Sequence, residues 1–161
     1  MKKILIILFA GIICCTLAST ILSCTEETDC SATARPMTLC KIYKQDPTTG
    51  SVEKSALNLL TITYLGTDTV ILNRQENVEE VLLPLRYTAG STPLVFHYAD
   101  ASTDTVEIFH QNTPYFLSME CGYQMKQAIT DVKYTRHTLD SIYIRKKEVG
   151  IYDTENLKLL Y

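Results

Sequence analysis

Six cysteines, three histidines and a scatter of carboxylates are the residues that could do chemistry in this chain. A zinc site asks for three or four convergent ligands, and His97, His110 and His137 show no tight ligand spacing. His97 and Asp100 can meet across a turn, where a polar turn contact accounts for the spacing. Asp100-Ala101-Ser102-Thr103-Asp104 has a superficial likeness to a calcium loop. It lacks the ligand series and closing Glu of an EF-hand, so an Asx-type turn is expected there. Hydrolysis by paired carboxylates would draw on Glu79, Glu80, Glu107 and Glu120, which read as outward strand residues. Cys40 is a candidate nucleophile, yet a lone strand cysteine is ordinarily core. No Gly-x-Ser-x-Gly elbow, phosphate-binding glycine loop or dinucleotide fingerprint occurs. The expectation is a non-enzymatic chain with no catalytic residue, no metal and no cofactor, because nothing here shows the relation of nucleophile, base and orienter. Tyr43, Tyr87, Tyr98, Tyr134 and Tyr143 offer apolar area with a polar tip, which suits a glycan platform or a protein interface. The competing reading is half-buried strand residues, since Tyr is enriched in strands.

The cysteine with the most specific surroundings is Cys24. Lys2 and Lys3 precede an apolar run from Ile4 to Leu17 that only Gly11 and Thr16 interrupt. The small and polar residues Ser19, Thr20 and Ser23 follow, in the order of an export signal. Ile21-Leu22-Ser23-Cys24 resembles the lipobox of bacterial lipoproteins, in which the cysteine is acylated and becomes the mature N-terminus. Cys14 and Cys15 lack a small residue before them. Three alternatives stay open: an uncleaved span from Ile4 to Leu22, secretory cleavage after Ala18, and Cys24 as a disulfide partner. Thr25-Glu26-Glu27-Thr28-Asp29 resembles the acidic export signal that Bacteroidota surface lipoproteins carry beside the lipidated cysteine. The same five residues also read as a solvated linker. The implied address is the outer membrane, lipid-anchored, facing the cell surface or the periplasm.

Cleavage before Cys24 leaves 138 of the 161 residues, enough for one domain with a real core. The leader takes two of the fifteen basic residues and none of the eighteen acidic ones, which leaves a net charge of −5. That balance argues against nucleic acid, whose binding needs clustered Lys and Arg. Arg145-Lys146-Lys147, followed by Glu148, reads as a solvated strand end. Cys30, Cys40 and Cys121 remain in the folded part. In an oxidising compartment they imply one disulfide and one odd thiol.

Ten Tyr, no Trp and abundant Val, Ile and Thr point to strands. Residues 1–23 are expected to be a signal helix, 24–35 an acidic tether and lead-in, and 36–161 a single domain. Strands are expected at Met37 to Lys44, around Leu60 to Tyr64, and at Val70 to Leu72, the last two pairing as a hairpin across Gly66. Val81, Leu83 and Leu85 share a face in a strand that Pro84 assigns to an edge or a bulge. Ala89 to Pro93 turns the chain, and Leu94 to Tyr98 pairs with Val106 to His110. Tyr115 to Tyr123 is the longest period-two run and directs Cys121 to the core. The segment from Met125 to Val132 fits either helix or strand. A strand from about Ser141 to Lys146 and a final short strand or tail over Ile151 and Leu157 to Tyr161 close the chain. Eight to nine short strands with hairpin connections predict an all-β antiparallel sandwich, broadly immunoglobulin-like, with an open barrel as the alternative.

Several of these segments together resemble an uncharacterised Bacteroidota lipoprotein family catalogued as a domain of unknown function. They are Cys30 followed by Pro36 to Tyr43, Leu83-Pro84-Leu85, Ser118 with Cys121-Gly122-Tyr123, and Asp140-Ser141-Ile142. The resemblance spans nearly all of the mature chain. It implies no activity, ligand or catalytic residue. It does imply a Cys30 to Cys121 disulfide with Cys40 as a strand residue, the alternative being Cys40 to Cys121.

Overall fold

The computed structural model describes Cys30, residues 35–150 and residues 154–161. The leader, Cys24, the acidic residues after it and Ile151 lie outside these described residues. The chain divides into two units, Met1–Ala32 and Thr33–Tyr161, and the fold described here is that of the second. Among the described residues no helix is long and apolar enough to cross a membrane.

The second unit is all-β, with two sheets. The first sheet is built on β1 (Thr38–Gln45). One edge of β1 pairs antiparallel with β5 (Glu80–Leu83) along its first half and with β2 (Val52–Lys54) along its second. Its other edge pairs with β11 (Leu157–Leu160), which in turn pairs with β9 (Ser141–Ile144). The second sheet runs in the order β10 (Glu148–Val149), β8 (Gly122–Tyr134), β7 (Thr103–Ser118), β6 (Ser91–His97), β3 (Leu60–Tyr64) and β4 (Val70–Gln75).

Period-two patterning dictates which residues meet between the sheets. Cys40, Ile42, Val81, Leu83, Leu157 and Leu159 from the first sheet share one buried cluster with Leu60, Ile62, Leu94, Phe96, Val106, Ile108 and Ile129 from the second. Each fully buried aliphatic or aromatic side chain there contributes about 1.5–3 kcal/mol relative to exposure. The alternating run from Leu94 to Tyr98 is buried at every second residue, as its pattern predicts.

Several expectations are corrected. The described residues hold eleven strands rather than eight or nine, because Val52–Lys54 and Glu148–Val149 are too short to stand out as patterns. The sheets are not wholly antiparallel: β1 and β11 run parallel, in the register Cys40↔Leu157 to Tyr43↔Leu160. Asn156 locks that junction, its Oδ1 accepting from Leu39 N at 3.0 Å and its Nδ2 donating to Glu148 O at 2.8 Å. Pro93 lies inside β6 rather than in a turn. Its carbonyl accepts from Leu65 N, just beyond Tyr64 where β3 stops pairing with β6, so the donor it lacks falls at the very end of that ladder. The ambiguous segment Met125 to Val132 is extended, within β8. Pro84 follows the end of β5, which is an edge strand, as expected.

The largest correction concerns Tyr115 to Tyr123. This is not one strand but the tip of a hairpin, in which β7 ends at Ser118 and β8 begins at Gly122. Gly122 has φ +66°, the left-handed conformation that closes a three-residue connection. Cys121 therefore sits half-buried in the turn, with its amide donating to Ser118 Oγ at 3.0 Å, rather than pointing to the core. Cys30 and Cys121 are both disulfide-bonded and Cys40 is a free, buried thiol, as the resemblance implied.

Candidate functional site

The second sheet supports a projecting arm. β6 accompanies β7 only as far as Ser91↔Phe109, whereas β7 and β8 stay paired out to Ser118↔Gly122. β10 flanks β8 only at Gln127 and Ala128. Beyond those points the arm is a two-stranded ribbon, an element of marginal stability by itself.

A buried polar network fixes the base of the arm. Asn112 Nδ2 lies 3.0 Å from Arg86 O, 2.9 Å from Tyr87 O and 2.8 Å from Ala89 O, so its amide holds the 86–89 loop against β7. Asn112 Oδ1 accepts from Gln127 Nε2 at 2.9 Å and from His110 Nδ1 at 3.1 Å. Because that oxygen can only accept, His110 carries its proton on Nδ1. Its Nε2 then accepts from the Thr92 hydroxyl at 2.9 Å, while Thr92 Oγ1 accepts from Arg86 N at 2.9 Å. Burial holds the His110 pKa below its ordinary value, against the opposing effect of its hydrogen bond to Asn112. The ring is neutral and structural. Gln127 Oε1 is buried and has no hydrogen-bond partner.

The face of the arm that continues the core carries Pro114 opposite Met125 and Phe116 opposite Tyr123. The Phe116 and Tyr123 rings meet edge to face, centroids 5.5 Å apart. Tyr123, Gln124 and Met125 line a cleft of about 430 Å³ with Arg35, Pro36 and Tyr87. The Arg35 guanidinium lies 4.4 Å from the Tyr87 ring centroid, within cation–π range. This cleft has apolar walls and one cation, and no carboxylate among these lining residues. It is suited to contact rather than to acid–base chemistry.

The residues singled out from sequence are dispersed. His97 Nε2 meets Thr63 Oγ1 at 3.1 Å. Asp100 accepts from Ser102 N and Oγ in the expected Asx-type turn. Those Ser102 bonds hold its carboxyl below the ordinary range. Asp104 is buried and accepts from Thr135 Oγ1 at 2.7 Å and from the amides of His137, Thr138 and Leu139 at 2.8, 2.9 and 2.9 Å. Burial alone would raise its pKa, and these four donors outweigh it and hold the carboxylate ionised. Asp104 clips the 135–139 loop in place, and its Oδ1 also lies 3.4 Å from His137 Nδ1. Glu79, Glu80 and Glu120 are exposed, and Glu107 accepts from Ser91 Oγ at 2.8 Å. Glu80 also pairs with Lys41 at 3.6 Å. Burial pushes the Cys40 thiol far up, which removes the thiolate a nucleophile requires. Among the described residues no three of His, Cys, Asp and Glu converge as metal ligands.

The five tyrosines do not assemble into one platform. Tyr98 is buried against Tyr161, ring centroids 5.8 Å apart. Tyr87 lies under Arg35, and Tyr134 lies 5.5 Å from the Arg136 guanidinium. Tyr43 and Tyr143 do share the outer face of the first sheet with Lys158, which is cross-strand partner to Tyr143 and stands 4.4 Å over the Tyr43 ring. Sequence reasoning missed the exposed tip residues, because Tyr115 to Tyr123 keeps its alternation through the turn. The available signal was Gly122, which follows Cys121 at the position where such a loop needs positive φ.

Fold and site together define a two-sheet β domain with an apolar-tipped hairpin arm. Residues 59–161 match the Family of unknown function (DUF6452), and the chain belongs to that family. The matched segment is shorter than the resemblance implied: it omits β1, although β1 pairs with β5 and β11 inside it. Comparison with the curated proteins and with the solved structures finds no match.

Proposed function

We propose that this chain is a lipoprotein of the Bacteroidota envelope, exported by its leader, acylated on Cys24 and held at the outer membrane. Its β domain, an immunoglobulin-like sandwich in this reading, serves as a non-enzymatic protein-interaction module. The observation that carries the reading is the sequence of the leader: Lys2-Lys3, then Ile4 to Leu17, then Ile21-Leu22-Ser23-Cys24. The domain behind it presents apolar contact surface on the arm and spends its buried ionisable groups on structure. Crosslinking the natively anchored protein in living cells, followed by purification and mass spectrometry, tests this. A single stoichiometric envelope protein is expected; recovery of abundant bystanders alone overturns it. Labelling with an alkyne-tagged fatty acid, present in the natural chain and absent in Cys24→Ala, tests the anchor separately.

The second reading is a surface carbohydrate-binding accessory protein. It is favoured by Tyr43, Lys158 and Tyr143 on one outer sheet face, where aromatic area adjoins a polar group. Glycan retention that is lost in Tyr43→Ala and Tyr143→Ala would move the assignment there.

A further inference from the structure

We propose that the tip of the β7–β8 arm contacts the lipid bilayer, with Phe116, Met119 and Tyr123 seated in the headgroup region of the membrane that holds Cys24. This rests on the lipid-anchor reading above. Phe116 is 51 % exposed, Met119 88 % and Tyr123 75 %, three of the large apolar side chains that face solvent. Leu65 and Val70 flank the β3–β4 turn as a pair, whereas here three such residues, two of them aromatic, fall within eight positions around one turn. Aromatic rings, a polar Tyr tip and a flexible Met suit the boundary between headgroups and acyl chains. Behind the tip, Lys126 stands 5.0 Å from the Tyr115 ring centroid, where a long cationic stem can reach phosphate.

The path of the chain selects this occupant over a protein. Arg35 and Pro36 line the same cleft as Tyr123 and Met125, so the chain enters the domain beside the arm. Arg35 comes eleven residues after Cys24, a reach of at most about 40 Å when fully extended. Cys30, six residues after Cys24, and Cys121, in the turn of the tip, are both disulfide-bonded. An acylated Cys24 therefore tethers the domain by the end at which the chain enters it, beside the arm.

The natural chain contains no Trp, so a single introduced Trp reports its own site. Acylated protein carrying Tyr123→Trp is reconstituted into phosphatidylethanolamine–phosphatidylglycerol vesicles containing brominated phosphatidylcholine. A matched protein carries Thr103→Trp, at the exposed first residue of β7, about 50 Å along the strand from the tip. The expected result is a blue-shifted emission quenched by bromine at position 123 and an unshifted, unquenched emission at 103. Phe116→Trp should repeat the position-123 result if that variant folds poorly. Acylated protein that floats with vesicles but shows no quenching at 123 or 116 overturns the tip contact and leaves the anchor intact. An emission shift that needs no lipid and grows with protein concentration assigns the tip to a second copy, and one that needs a protein extract assigns it to a protein partner; both overturn the proposal. Absence of an acyl group on Cys24 by mass spectrometry removes the anchor reading, and this proposal with it.

Discussion

At the scale of single residues, the buried polar groups hold shape rather than perform reactions. Asp104 satisfies four donors at once, and a buried donor left without its acceptor costs about 1–3 kcal/mol. Asp104→Ala is therefore expected to destabilise the domain by at least about 3 kcal/mol, read as a lowered urea midpoint with unchanged slope. A midpoint within error of the natural chain would show that the 135–139 loop does not depend on this carboxylate. His110 makes a pH prediction. Its folded pKa lies below the ordinary value of 6.5, so the unfolded chain takes up a proton first as the pH falls. The His110 contribution is complete above about pH 6.5 and declines below it, by at most about 1.4 kcal/mol per pH unit. Urea titrations at pH 7.5, 6.5 and 5.5 should show that decline, and His110→Gln should flatten it; equal slopes in both proteins would remove His110 from the account.

At the scale of elements, the arm decides what the domain can contact. Its length follows from β7 outrunning β6, and its base is fastened by Asn112 and Gln127 together with the short strand β10. Gly122→Ala places a Cβ at φ +66°, an arrangement that costs an L-residue about 1–2 kcal/mol. The expected loss is of that size and local. Amide exchange should accelerate in residues 115–125 and remain unchanged in β3 and β6. Uniform acceleration across both sheets would mean that the turn is coupled to global unfolding instead.

For the whole molecule, the bond held by Cys30 and Cys121 and the parallel seating of β11 on β1 join distant parts of the sequence. Closing a loop of some ninety residues stabilises the folded state by about 4–5 kcal/mol in the chain-entropy description. Reduction should lower the thermal midpoint substantially, and Cys121→Ser should reproduce the shift without reductant. Cys40→Ser should not mimic it, since Cys40 is a free thiol in the core and its cost is that of burying a hydroxyl. A reduced protein that melts at the same temperature would show that the two sheets alone set the stability.

Period-two alternation is written in local sequence, so the strands around Leu60 to Tyr64 and Leu94 to Tyr98, the edge position of Val81 to Leu83, and the β class were legible without coordinates. The leader ahead of Cys24 is likewise a property of local composition. What tertiary structure decided is which strands become neighbours. Nothing in Leu157 to Leu160 states that it will lie parallel to Thr38 to Gln45, more than a hundred residues earlier, because a buried strand reads the same whichever partner accepts its hydrogen bonds. The hairpin tip escaped for a related reason: alternation continues through Ser118 to Gly122, and only the paired backbone, with Gly122 turned to positive φ, distinguishes one long strand from two shorter ones meeting at a turn.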